Sequence, residues 1–245
     1  MVNDIAGVSI EPTHLLRSML LDESATSTQL EDQGSRRLLT IRAADSEGHR
    51  SSAHILVNRM YAWRGYSTAP VAESGGSSRI TLIASDHDVT IGTITVGFDS
   101  IDGLLVDELF RDDVARLRED GAELCEFIKL AVDGVVRSKR VLASLFHTAF
   151  IYAHQIKGCD KLLIEVNPRH LRFYESMLGF EVLARERLNR RVNAPAVLMC
   201  LDLAYAYEQI DRVHTGGADR SLYRDCFSRD ETAGIVSRLR RRTDA

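Results

Sequence analysis

The 245 residues carry a formal net charge of -4, and lysine occurs only at Lys129, Lys139, Lys157 and Lys161. That balance argues against a nucleic-acid binder, which shows a basic excess. No 18-residue apolar run and no signal-peptide start occur, so a chain without a transmembrane segment, located in the cytoplasm, is expected.

A chain of this length buries roughly 70% of its unfolded surface in one substantial core. Residues 1–36 read as a loose polar arm with one short amphipathic piece around Leu15–Leu21, and Leu38–Ala43 as a short strand. In the next segment Ala53, Leu56, Val57, Met60 and Tyr61 recur at the spacing of one apolar helix face. A loop rich in Ser, Gly and Pro follows. Two strands then form a hairpin joined at His87-Asp88, and Leu104–Gly121 reads as a charged helix.

The strand ELCEFIKLAVD comes next, then a helix over 138–157 burying Leu142, Leu145, Phe146, Ala149, Tyr152, Ala153 and Ile156. A strand with Leu162, Leu163, Ile164 and Val166 runs into Asn167-Pro168. The helix after it carries Phe173-Tyr174 and stops at Gly179. Strands at Glu181–Arg187 and across AVLMCLDLAYAY flank an Arg-rich loop, and two short helices occupy the region from 208 to 245. The order predicts an α/β (α+β) layer fold with a mixed, largely antiparallel sheet flanked by helices. Its division is a 1–36 arm, a 37–207 domain and a 208–245 helical extension.

Strand period 2 aligns Leu124, Glu126, Ile128, Leu130 and Val132. Glu126 is a carboxylate in an apolar row, where desolvation raises its pKa toward that of a base working near neutrality. It fits a general base or an ammonium-binding group, or equally a Glu paired with a structural Arg at a sheet rim. His147 and His154 share a helix face with no third ligand in register, so they read as packing residues. Cys125, Cys159, Cys200 and Cys226 lack metal-ligand spacing, and no metal is expected. No GxSxG, HExxH, P-loop or GxGxxG occurs. Trp63 and Tyr66 line an acyl or amino-acid pocket, or pack at an edge.

The strand, Asn167, Phe173-Tyr174 and Gly179-Phe180 unit resembles the last βα unit of the GNAT superfamily of N-acyltransferases, in which the Tyr often protonates the departing thiolate. CoA-using members carry Gln/Arg-x-x-Gly-x-Gly/Ala before the preceding helix. This chain has Arg137-Ser138-Lys139-Arg140-Val141-Leu142-Ala143 there, so Arg140 and Leu142 would crowd a diphosphate approaching the backbone. Arg137, Lys139 and Arg140 suit the phosphopantetheine arm and acidic surface of an acyl carrier protein better than CoA, or form an ordinary solvated helix start. Glu126-x-x-Lys129 resembles the Glu-x-x-Arg strand of acyl-homoserine-lactone synthases, with Lys in place of the bidentate Arg; a Lys covering the sheet edge is the alternative.

From Leu38 to Tyr207 the chain is similar to the N-acyl amino acid synthases of the FeeM type. It shares the segment IRAADSEGHRSSAHILVNRMYAWRGY, the ELCEFIKLAV strand and the 158–203 unit with its Arg-Val-Asn-Ala-Pro hairpin. The resemblance implies transfer of a long-chain acyl group from acyl carrier protein to an amino acid's α-amine, with a thioester donor and no permanent cofactor. Glu126 and Tyr174 would be catalytic, and the backbone at Lys129, Leu130 and Ala131 would hold substrate. An acyl-homoserine-lactone synthase and a non-catalytic acyl-carrier or ligand-binding module are the rival readings.

Overall fold

Nine strands form a single sheet in the order β2-β1-β3-β4-β5-β6-β7-β9-β8 in the computed structural model. It describes residues 6–10, 16–18, 39–44, 46–63, 65–66, 78–86, 89–133, 139–215 and 220–243. The strands β1 (Ala6–Ile10) and β2 (Leu16–Ser18) pair antiparallel and extend the sheet from β3 (Leu39–Ala43). Two pieces of the predicted arm are therefore strand, and Leu16–Ser18 lies where an amphipathic piece was expected.

The helix α1 (Glu47–Trp63) buries Ala53, Leu56, Val57 and Met60, four of the five positions its periodicity picked out. The hairpin partners β4 (Arg79–Asp86) and β5 (Val89–Phe98) follow, their junction at His87-Asp88 lying outside the described residues. Next comes α2 (Asp107–Glu119), which Arg118 ties down through Asp99 (2.6 Å) and Asp107 (2.7 Å).

The central strand β6 (Leu124–Val132) runs antiparallel to β5 and parallel to β7 (Lys161–Val166), the one parallel pairing among the described residues. Its register shifts between Ile128, opposite Thr95, and Ala131, opposite Thr93. Lys129 occupies the shift at φ 53°, a left-handed conformation uncommon for a side-chain-bearing residue. The bulge breaks the single face expected of this strand. Leu124 packs with the α2 cluster and Ala131 with α1, whereas Leu130 and Val132 turn to the opposite side with Cys125 and Phe127.

Between β6 and β7 lie α3 (Lys139–Phe150) and a π-helical turn at Ile151–Ile156. The predicted positions Leu145, Phe146, Ala149 and Ala153 are buried, but so are Ser144, His147 and Thr148 on the other side. The cover comes from the C-terminal region: a 3₁₀ turn at Leu222–Asp225 and α6 (Arg229–Thr243) pack on α3 and the π turn. His147 accepts the Phe227 N–H at Nδ1 (3.0 Å) and stacks on the Phe227 ring. Both histidines pack as expected, since His154 Nδ1 meets the Cys159 carbonyl at 2.8 Å.

After β7, Asn167 caps a 3₁₀ turn at Pro168–His170 by accepting the Arg169 N–H, and α4 (Leu171–Leu178) follows. Gly179 ends α4 at φ 75°; a Cβ there would lie 2.4 Å from the Tyr205 ring. The sheet closes with β8 (Glu181–Asn189) and β9 (Ala194–Asp202). The last predicted strand stops five residues early because the Asp202 side chain accepts the Tyr205 N–H (2.9 Å) and starts α5 (Leu203–His214). The result is a mixed, largely antiparallel α/β fold, as the element order predicts, with α1 and α2 on one face and α3 and α4 on the other. Among the described residues no helix is long and apolar enough to cross a membrane.

Candidate active site

The pairing of β6 with β7 covers only Leu124↔Lys161, Cys125↔Leu162 and Glu126↔Leu163. Beyond it, β6 continues against β5 and β7 continues against β9, so the two strands part and leave a slot in the middle of the sheet. Two hydrogen bonds fix which backbone groups face the slot. Asp99 N–H reaches the Leu124 carbonyl (3.1 Å) and Asp133 N–H the Ile91 carbonyl (2.8 Å). Antiparallel alternation from both ends, interrupted by the bulge at Lys129, turns the backbone polar groups of Phe127, Leu130 and Val132 away from β5 and into the slot.

Glu126 lies at the closed end of the slot, on the α1/α2 face, and is fully buried. Its Oε1 accepts the Leu105 N–H (2.9 Å) and its Oε2 the Val106 N–H (3.1 Å), and Arg79 stands 3.6 Å from Oε1. Gly97 is its cross-strand neighbour because any Cβ there would come within 2.8 Å of the carboxylate. Burial raises its pKa, opposed by the two N–H bonds and by Arg79. Both oxygens are thus engaged in holding the turn before α2.

A second buried carboxylate stands on the same face where the slot has opened. Glu165, from β7, accepts Asn189 Nδ2 (2.5 Å) and Arg191 Nη2 (2.8 Å), both on Oε2. Its Oε1 is buried without a hydrogen-bond partner among the described residues. Burial raises this pKa also, against the pull of Arg191 and Asn189. Arg191 Nη1 further donates to the Leu105 carbonyl (3.2 Å), so the Leu105 peptide joins Glu126 to Arg191 and Arg191 to Glu165. Glu165 was not singled out in the sequence, although a carboxylate inside the apolar run Leu162–Val166 is the same signal that marked Glu126.

Tyr174 lies across the sheet, half-buried on the α3/α4 face, with its ring 5.6 Å from Phe180 and 5.4 Å from Phe173. The sheet therefore carries carboxylates on one face and a phenol on the other. Lys139 is exposed and Arg140 half-buried in the first turn of α3, while Arg137 lies outside the described residues. Arg187 and Arg191, from the Arg-rich segment, are engaged in contacts of their own. Arg187 binds Asp113 (2.8 Å) and stacks over Phe110, and Arg191 is occupied as above. Trp63 is exposed, whereas the Tyr66 hydroxyl accepts Arg169 Nη2 (2.8 Å) and fastens the end of α1 to the turn before α4. No cluster of three or more His, Cys, Asp or Glu side chains among the described residues is placed to hold a metal ion.

The chain is similar to several known proteins. A structure of FeeM, an N-acyl amino acid synthase from uncultured soil microbes, is 28% identical, with a TM-score of 0.64 over 70% of this chain and 95% of that one. Escherichia coli ElaA aligns at 11% identity and TM-score 0.48 over 67% of this chain and 98% of its own. A CoA-dependent acyl-homoserine lactone synthase, MesI, aligns at 14% and 0.48 over 74% and 97%. No curated protein matches the sequence. The family model of the N-acyl amino acid synthase FeeM matches residues 52–202, more than half of the chain. The chain belongs to the FeeM family of N-acyl amino acid synthases, acyltransferases of the GNAT fold.

Proposed function

We propose that this protein moves a long-chain acyl group from the phosphopantetheine thioester of an acyl carrier protein to the α-amine of an amino acid. The observation that carries the reading is the slot between β6 and β7, with a partnerless buried carboxylate oxygen on one face and a phenol on the other. An extended pantetheine arm matches a strand edge whose backbone groups at Phe127, Leu130 and Val132 face the gap.

The acceptor enters from the α1/α2 face as an ammonium, and Glu165 Oε1 binds it and takes its proton. Desolvation, which raises the Glu165 pKa, brings this carboxylate toward the range a base needs near neutrality. The free amine attacks the thioester carbonyl. Of the two backbone N–H groups expected to stabilise the oxyanion, that of Leu130, beside the Lys129 bulge, faces the slot and takes this role, whereas that of Ala131 faces β5. As the intermediate collapses, the C–S bond breaks and Tyr174 gives its proton to the thiolate. Glu126, expected as the base, is assigned a positioning role, because both its oxygens already bind Leu105 and Val106.

The carrier-protein donor rests on Arg140 and Leu142 standing where the CoA-using pattern has small residues, with Lys139 adding positive charge beside them. The deciding experiment incubates the protein with palmitoyl acyl carrier protein, or palmitoyl-CoA, and a mixture of amino acids, with products read by mass spectrometry. An N-palmitoyl amino acid formed from the carrier protein is expected. Equal use of the CoA ester would remove the carrier-protein donor, a lactone would name the homoserine-lactone chemistry, and no product would leave a binding module.

A further inference from the structure

A cavity of about 680 Å³ lies outside the slot, between the π turn, α5 and α6. That volume is within the range of small-molecule sites, about 300–1,000 Å³. Most of its wall comes from residues beyond the span that matches the family, so the family reaction does not account for it.

Phe150, Ile210 and Val236 give it an apolar lining. Two of the residues that line it, His147 and Thr232, each carry a buried polar atom. Because His147 Nδ1 accepts the Phe227 N–H, a neutral ring must carry its proton on Nε2, and Nε2 has no partner among the described residues. Thr232 Oγ1, from α6, is equally buried and equally without a partner. A buried donor left unsatisfied costs about 1–3 kcal/mol, so two of them lining one cavity point to an oxygen that arrives with a ligand. At the rim, Arg229 is neutralised by Asp211 (2.9 and 2.5 Å), and Arg240 adds a positive charge beyond that pair.

We propose that this cavity binds an acyl chain carrying a carboxylate. The chain lies against Phe150, Ile210 and Val236, a ligand oxygen accepts from His147 Nε2–H and Thr232 Oγ1–H, and the negative charge faces Arg240. Two sources share this chemistry, a free fatty acid and an N-acyl amino acid. The second rests on the acyl-transfer reading above, for it would bring the product back to a site separate from the slot.

Binding of palmitate, N-palmitoylglycine and hexadecanol to the full chain, measured by calorimetry without any thioester, tests the site. Ala233→Trp, from an exposed position in the cavity wall, and Arg240→Glu are the variants, each checked for unchanged melting temperature. Both should weaken binding of the carboxylates by roughly tenfold or more, the worth of a charge-assisted contact or a filled pocket, and both should leave basal acyl transfer intact. Tighter binding of palmitate or of N-palmitoylglycine names the source. Hexadecanol binding as well as palmitate, or carboxylate binding insensitive to both variants, overturns the proposal. Acyl transfer without such binding defeats this site alone, whereas binding without transfer defeats only the acyl-transfer reading.

Discussion

Glu126 and Glu165 lie on the same face of the sheet and are joined through one peptide and one guanidinium. Glu126 holds the Leu105 N–H, and Arg191 bridges the Leu105 carbonyl to Glu165. Burial is the main cause of the elevated Glu126 pKa, and the negative charge of Glu165 adds to it. In the proposed mechanism the two divide the work: Glu126 has both oxygens bound and sets geometry, and Glu165 offers its remaining oxygen to the acceptor.

Glu165→Gln should keep the fold and lower kcat by roughly 10²–10⁴-fold, the usual worth of a general base. Glu126→Gln should cost less, roughly tenfold, by loosening the turn that orients Arg191. Steady-state turnover of both variants, with melting curves to confirm folding, decides the assignment. A larger defect in the Glu126 variant would return the base to β6.

The raised pKa of Glu165 also sets a pH signature. Since the ionised form is the base, kcat/KM should fall on the acid side through a pKa above the ordinary glutamate value of about 4.3. The Glu165→Gln variant should lose that limb, and a limb that persists unchanged identifies another titrating group.

Tyr174→Phe should reduce kcat by roughly tenfold, the low end for proton transfer, because a thiolate leaves passably without help. The ring contacts with Phe173 and Phe180 are retained in the variant, so its melting temperature should stay near that of the wild type. Unfolding in place of a kinetic defect would make the hydroxyl structural.

If an acidic carrier protein docks at the start of α3, its productive encounter should weaken steeply with salt, since surface charge is screened within about 10 Å at 0.1 M. Reversing Lys139 and Arg140 to Glu should raise KM for acyl carrier protein and leave kcat nearly intact. A KM for the carrier protein that ignores both salt and charge reversal would exclude this docking surface.

His147 predicts an acid weakness. Burial lowers its pKa to about 3, from an ordinary 6.5. The unfolded chain takes up the proton first, so the contribution of His147 is complete above pH 6.5 and is lost as pH falls toward 3. Between pH 7.5 and 4.5 the loss should be about 2–3 kcal/mol. The raised carboxyls of Glu126 and Glu165 work in the opposite direction, favouring the fold as pH falls. Comparing denaturant unfolding of wild type and His147→Asn at both pH values isolates the histidine, because the Asn amide oxygen can still accept the Phe227 N–H. Equal pH dependence in the two proteins would mean that the ring is protonated or exposed in the native state.

Much of the fold was legible because its signals are local. The α1 face and the Gly179 stop each depend on residues within a few positions, and both appear as expected. What the pattern could not carry was the bulge at Lys129, which splits the apolar face of β6 without any Gly or Pro to announce it. The position of Glu126 on its face could be read, but not the two N–H donors that occupy it, since Leu105 and Val106 are some 20 residues away in sequence. Glu165 escaped for the reverse reason: its importance lies in an oxygen left over after Asn189 and Arg191 have bound, and only the assembled site reveals a remainder. The burial of the outer side of α3 was invisible for the same long-range reason, because its cover comes from the Leu222–Asp225 turn and Phe227.

That cover has a consequence for how the protein is made. The Phe227 contact that closes over His147 joins residues 80 positions apart. At a synthesis rate of about 5–20 residues per second, roughly 4–16 seconds pass between emergence of the two. During that interval α3 can dock on the growing sheet with one side satisfied and the other, including Phe150, still bare. The nascent chain thus presents a sticky apolar stripe that only later synthesis can seal, a window in which a chaperone, or slow misassembly with a neighbouring chain, has its opportunity.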